Sequence, residues 1–161
     1  MPSFSEHISQ SKRNLKFLEL INSTDNSYWD WQVTVSFYCS LHLINAHIAQ
    51  KVNLHYRKHE EVNNIINPYS NSPCPLPEDI YLSYMKLQGL SRRARYLIHE
   101  DKSNKSETNH FTYDKHLCKA IKHLDNLMKY FQKSYDVSFE TSKINCIQFK
   151  DNDITFFIKS S

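Results

Sequence analysis

The 161-residue chain contains one glycine, Gly89, and only five prolines. A sheet of many strands needs such residues in its turns, and a loop that cradles a phosphate usually needs several glycines. Both are therefore disfavoured, and helices are the expected elements. A hydrophobic content of 40% and an aromatic content of 13% are enough for one globular domain with a core of its own.

Cysteine is also scarce, with Cys39, Cys74, Cys118 and Cys146 scattered along the chain without C-x-x-C spacing. This usage predicts reduced thiols in a cytoplasmic protein, not a disulfide framework. It offers no signature of a metal site, and we expect neither a metal nor another cofactor.

Long apolar runs are missing as well. The first 20 residues lack the run of roughly 7 to 15 apolar residues that a signal peptide requires, and no later segment approaches membrane-spanning length. A cytoplasmic location with no membrane partner is expected. The net charge of +3 is modest, so contact with nucleic acid would depend on local clusters of Lys and Arg.

Apolar residues recur at intervals of three and four, as on one face of a helix. The clearest series is Leu117, Ile121, Leu124, Met128 and Phe131. Helices are predicted at approximately residues 5–21, 28–51, 54–66, 77–100 and 113–135, with the second helix at the centre of the bundle.

After Tyr135 the composition changes to short segments rich in β-branched and aromatic residues. The segments KINCIQF and ITFFIK are separated by the turn-forming KDND, which predicts a β-hairpin. An isolated hairpin is only marginally stable in water. We therefore predict a helical bundle over residues 1–135 and, within the same domain, a hairpin over residues 136–161 that packs on the bundle or on a partner.

Three segments, DWQVTVSFYCSLHLINAHIA, HYRKHEEV and YMKLQGLSRRARY, together resemble bacterial single-domain HEPN-like (higher eukaryotes and prokaryotes nucleotide-binding) proteins. The resemblance spans roughly residues 29–96. It implies an all-α, up-and-down bundle of about five helices that is often dimeric. It also implies an RNA-cleaving toxin or a component of antiviral defence.

Ribonucleases of this family carry an Arg followed four to six residues later by a His, and Arg92 or Arg93 with His99 matches that spacing. On a helix, Arg92, Arg95 and His99 fall on one side, whereas Arg93 points away. The imidazole would move a proton at the ribose 2′-hydroxyl or the leaving oxygen, and the guanidinium groups would hold the phosphate. The catalytic candidates are therefore Arg92, Arg95 and His99 at a dimer cleft.

Four further residues are predicted to line this cleft and orient its side chains: His42, Asn45, Asp30 and His59. The alternative for His42 and Asn45 is a buried polar pair with a purely structural role. The alternative for Arg95 is a structural ion pair with Asp30 or with a carboxylate of the HEE segment.

A second set of basic residues is predicted to bind RNA: Arg93, Lys119 and Lys122. On the last helix, His116 and His123 lie among these lysines, and Tyr113 and Tyr130 are available for base stacking. The alternative is an ordinary solvated basic face.

Two other functions remain open at this stage. The residues Ala94 and Val62 depart from the family pattern, which favours a non-catalytic HEPN-like interaction or scaffold subunit of a larger defence complex. The spacing of His55 and His59, four residues apart, allows a metal-dependent bundle enzyme if both lie on one helix face, with a solvated face as the alternative.

Overall fold

The computed structural model describes residues 1–25, 27–97, 111–146 and 154–159. This part of the chain forms five helices and two short strands, which confirms an all-α bundle with short C-terminal strands. The elements are α1 (Phe4–Thr24), α2 (Trp29–Val52), α3 (His59–Ile65), α4 (Glu78–Tyr96), α5 (Asp114–Tyr135), β1 (Ser142–Ile144) and β2 (Phe157–Lys159). Within these ranges, no helix combines the length and apolar character needed to cross a membrane.

Helix α2 lies at the centre of the bundle and packs against α1, α4 and α5. A helix that is apolar around most of its circumference is stable only when other elements cover it. Phe37 shows this packing: it is fully buried, and its ring lies 5.8 Å from the ring of Tyr84 on α4. The central position predicted for the second helix is confirmed.

The start of α1 is fixed by a capping box. The amide of Ser3 donates to Oε2 of Glu6 at 2.7 Å, and the Ser3 hydroxyl accepts from the amide of Glu6 at 3.3 Å. A cap of this kind stabilises a helix by about 1 kcal/mol.

Two helix boundaries differ from the prediction. Helix α2 ends within one residue of its predicted end and is followed by Asn53 with φ 53°, but residues 54–58 are not helical and α3 begins at His59 instead of about residue 54. His55 and His59 therefore do not share a helix face, so the metal-site argument from their spacing was wrong. Helix α4 ends at Tyr96, where Leu97 has φ 54°.

The two strands pair in parallel, with Ser142 opposite Phe157 and Ile144 opposite Lys159. They do not form the antiparallel hairpin that the turn-forming KDND segment predicted. Both strands pack on the bundle, as the domain prediction allowed, because Ile144, Phe156 and Phe157 are buried.

Side chains from the helices hold the backbone of both strands. Glu19 on α1 accepts from the amide of Lys143 at 2.9 Å. The buried carboxylate of Asp125 on α5 accepts from the amides of Thr155 at 3.0 Å and Phe156 at 2.8 Å. These contacts place each strand against its own helix, and the parallel direction follows from tertiary contacts that no local turn signal encodes.

A disulfide joins Cys118 on α5 to Cys146, just after β1. The expectation that all four cysteines are reduced thiols was therefore wrong for this pair. The other two cysteines, Cys39 and Cys74, are free and buried. The disulfide adds a covalent link between the strand segment and the helical bundle.

Candidate functional site

His59 is the first residue of α3, and its imidazole packs on the bundle core. Its ring centroid lies 5.4 Å from that of Phe37. The side chain is half-buried, and its Nδ1 atom is buried without a hydrogen-bond partner among the residues that the structure describes. A buried polar atom in this state is costly unless a ligand or a reaction uses it.

Two arginines of α4 lie near this imidazole. Burial lowers the pKa of His59, and the positive charges of Arg95 and Arg92 lower it further. His59 is therefore neutral at pH 7, the form in which an imidazole accepts a proton. Positive charge beside a neutral base is the combination that the sequence argument sought around His99.

A pair of amide side chains fixes α3 against α4. Asn63 Nδ2 donates to Gln88 Oε1 at 2.9 Å, and Gln88 Nε2 donates to Asn63 Oδ1 at 3.3 Å. Gln88 lies one helical turn before Arg92, and Asn63 lies one turn after His59. This pair thus sets the position of the imidazole relative to the arginines.

The guanidinium of Arg95 lies 5.1 Å from the ring centroid of Tyr96, a cation–π contact. Its Nε atom donates to the carbonyl of Ser91 at 3.4 Å. Neither contact involves a carboxylate, so the described residues do not contain the predicted ion pair with Asp30. Asp30 is exposed in the first turn of α2.

Arg93 has a structural partner. Its Nε and Nη2 atoms donate to the carbonyl of Phe111 at 3.2 and 2.9 Å. This contact ties the end of α4 to the segment that leads into α5. The predicted role of Arg93 in RNA binding remains a prediction.

His99, the histidine favoured by the sequence, lies outside the described residues. Since α4 ends at Tyr96, helical spacing cannot be used to place His99 beside Arg92 and Arg95. The described histidine whose pKa is lowered by the charges of Arg92 and Arg95 is His59, for which the sequence predicted only an orienting role. No signal local to residues 92–96 would have identified it.

The remaining cleft candidates contact other parts of the bundle. His42 Nδ1 lies 3.2 Å from Nδ1 of His7 on α1, and Asn45 Nδ2 donates to the carbonyl of Leu41 at 3.1 Å. The contacts given for the described residues join neither side chain to the α4 arginines. The structural alternative fits both residues better than the orienting role.

A basic face runs between α4 and α5. His116 is buried, and burial together with the charges of Arg93, Lys115 and Lys119 lowers its pKa to about 4. Burial, Lys86 and Lys119 also lower the pKa of His123. Positive side chains from both helices thus share this surface, and Lys122 is exposed on the same helix.

We expect His116 to make the fold sensitive to acid. Its pKa is depressed from 6.5 in the folded state, so the unfolded chain binds the proton more readily, and stability falls as the pH drops from about 6.5 towards 4. Between about pH 7.5 and pH 5, this residue should reduce the free energy of unfolding by on the order of 2 kcal/mol. Urea unfolding of wild type and His116→Asn at both pH values measures the difference.

The asparagine carbonyl replaces the Nδ1 atom of His116, which accepts from the amide of Tyr113 at 2.9 Å at the start of α5. The variant should therefore stay folded while losing part of the acid sensitivity. An equal loss of stability in wild type and variant would contradict the assignment.

Exposed aromatic side chains surround the arginine-rich end of α4. Tyr96 lies beside Arg95, and the backbone carbonyl of Phe111 accepts a hydrogen bond from Arg93. The ring of Tyr113 lies 6.5 Å from that of Trp29. The large exposed side chains at this end are Trp31, Tyr96, Phe111 and Tyr113, each about half exposed or more.

The predicted stacking residue Tyr130 is not part of this set, because it is half-buried against His47, Phe131 and Tyr135. Tyr113 is exposed, and its role in base stacking remains a prediction. Aromatic rings that flank basic side chains are the usual platform for unpaired bases.

A second cluster is formed by Asp114, Cys118 and Cys146, whose ligand atoms lie within 4.8 Å of one another. The two sulfurs are bonded to each other. While the disulfide is intact, neither cysteine is a free thiolate, so the cluster lacks the sulfur ligands that a metal ion would bind.

Comparison with known proteins adds no relative: no family model, curated protein or solved structure matches the chain. The functional argument therefore depends on the residues described above.

Proposed function

We propose that the chain is a HEPN-like protein that binds single-stranded RNA and cleaves it without a metal ion. The observation that carries this proposal is the imidazole of His59 on α3, whose Nδ1 atom is buried without a partner among the described residues and whose pKa is lowered by the charges of Arg92 and Arg95 on α4. A neutral imidazole and two guanidinium groups are the side chains that metal-independent RNA cleavage requires.

In the proposed reaction, His59 accepts the proton of a ribose 2′-hydroxyl. The 2′-oxygen then bonds to the neighbouring phosphorus, and the bond from phosphorus to the 5′-oxygen breaks. The 5′-oxygen takes a proton from water, and the hydroxide ion that remains takes the proton held by His59, which restores the neutral imidazole. The products end in a 2′,3′-cyclic phosphate and a 5′-hydroxyl. Arg92 and Arg95 stabilise the charge on the phosphate oxygens.

The basic face and the exposed aromatic end support RNA as the substrate. Lys119 and Lys122 would contact phosphates, while Tyr96, Phe111 and Tyr113 would stack on bases. We further propose a homodimer that brings two such sites to one cleft, acting in the cytoplasm as a toxin or a component of antiviral defence. The sequence resemblance supports these parts of the proposal.

The test is digestion of single-stranded RNA by purified protein in EDTA, with the molecular mass of the protein measured by light scattering. We expect cleavage with 2′,3′-cyclic phosphate ends and no cleavage of the same sequence made as DNA, since DNA lacks the 2′-hydroxyl. Failure to bind RNA would overturn the proposal.

Binding without cleavage would favour the second function, a non-catalytic interaction or scaffold subunit. The engagement of Arg93 with the Phe111 carbonyl favours this alternative, because it removes one motif arginine from chemistry. A stable protein partner that co-purifies with the monomer would support it further.

A further inference from the structure

Three histidines from different parts of the chain form a cluster that the proposed RNA site does not use. His7 lies on α1, His42 on α2, and His55 in the non-helical segment between α2 and α3. The rings of His7 and His55 are stacked with centroids 5.2 Å apart, and those of His7 and His42 lie 5.5 Å apart.

The spacing within this cluster suits a metal ion. Nδ1 of His7 and Nδ1 of His42 are 3.2 Å apart. Two nitrogens bound to one tetrahedral Zn²⁺ at about 2.05 Å stand about 3.3 Å apart. The pair therefore already has the separation of two ligands on one ion.

The protein alone satisfies this cluster only in part. The Nδ1 atoms of His7 and His42 lie within hydrogen-bond distance of each other, whereas Nδ1 of His55 is buried without a hydrogen-bond partner in the described part of the chain. An unsatisfied buried ring nitrogen beside this pair points to a missing partner.

We propose that His7, His42 and His55 bind one late first-row divalent metal ion, with Zn²⁺ as the natural occupant, and that water completes the coordination. The ion would tie α1 to α2 and to the segment before α3. It takes no part in the proposed RNA cleavage, which uses other residues.

One side chain must move to close this site. Within the described residues, the three ligand atoms that lie within 4.8 Å of one another are those of Asp114, Cys118 and Cys146. The ring nitrogens of His55 are therefore not this close to those of both His7 and His42. His55 lies outside any helix, next to Asn53, and rotation of its side chain requires no change in α1 or α2.

The test is titration of chelator-treated full-length protein with Zn²⁺ by calorimetry, in parallel with thermal unfolding. We expect one ion per chain and a higher melting temperature when Zn²⁺ is present, because the ion binds the folded state. His55→Ala should weaken binding by about tenfold or more and abolish the thermal shift, since it removes one of three protein ligands.

His42→Ala provides a second ligand variant in case one substitution disturbs the fold, and His123→Ala, a half-buried histidine elsewhere, is the matched control that should bind normally. Co²⁺ should give the visible absorption of a tetrahedral site without a thiolate charge-transfer band. Absence of stoichiometric binding would overturn the proposal. Normal binding by both ligand variants, or a thiolate band, would also overturn it by placing the ion at the cysteines.

Discussion

Replacing His59 with asparagine should lower the rate of RNA cleavage by roughly 100- to 10,000-fold, the usual contribution of a general base. Asparagine is polar and of similar size, so packing against Phe37 should largely survive. RNA binding should change little, because binding is assigned to the basic face and the exposed aromatic rings. Single-turnover cleavage and fluorescence anisotropy with the same labelled RNA separate the two effects.

His123→Asn is the matched control for this variant. His123 is also half-buried, has a lowered pKa and has a buried Nδ1 atom without a partner among the described residues, but its charged neighbours are Lys86 and Lys119. His123→Asn should leave the rate of RNA cleavage within about twofold of wild type. Only a histidine placed at the reacting atoms acts as a general acid or base. Equal losses in both variants would show that His59 has no special role.

The pH dependence of cleavage gives an independent check on His59. Activity requires the neutral imidazole, so it should fall as the pH drops through the pKa of His59, which lies below 6.5. Arg92→Gln removes a positive charge that lowers this pKa. The acidic limb of the profile should therefore move to higher pH in that variant, and circular dichroism over the same pH range excludes acid unfolding as the cause.

Reduction of the disulfide between Cys118 and Cys146 should lower the free energy of unfolding by about 3 to 4 kcal/mol, because the bond closes a loop of 28 residues in the unfolded chain. The effect is a large part of the stability of a typical domain. Urea unfolding with and without reductant measures it. The double variant Cys118→Ser, Cys146→Ser should have the stability of the reduced wild type and show no response to reductant.

Alkylation under denaturing conditions reports the state of the cysteines directly. Two cysteines, Cys39 and Cys74, should react before reduction and all four after it. Reaction of all four without reductant would contradict the disulfide. It would then leave the thiols of Cys118 and Cys146 free beside Asp114.

The long helices were predictable because their stability comes from a repeated apolar face, which the sequence displays directly. The end of α4 before Leu97 was not, since a left-handed residue other than glycine carries little sequence signal. The parallel direction of the strands depends on the Asp125 carboxylate and on Glu19, whose partners are distant in the chain.

The candidate site, like the fold, was predictable only in part. Arg92 was identified from its motif and Arg95 from its place on the predicted helix face, but the spacing led to His99 because the prediction assumed that α4 continues. The effect of both arginines on His59 depends on how α3 packs on α4, which the Asn63–Gln88 pair fixes. Packing between two helices joined by a loop cannot be read from spacing within either helix.

The contacts of α1 with the strand segment bear on the order in which the chain folds. Glu19 accepts from the amide of Lys143, and Asn22 accepts from the amide of Asn145 at 2.6 Å, across separations of 124 and 123 residues. The α1–α2 pair needs only a short loop closure, whereas these bonds require almost the whole chain to be gathered first. An early intermediate would therefore contain the helical pair with the side-chain oxygen of Asn22 still solvated, and docking of β1 would be a late and comparatively slow event.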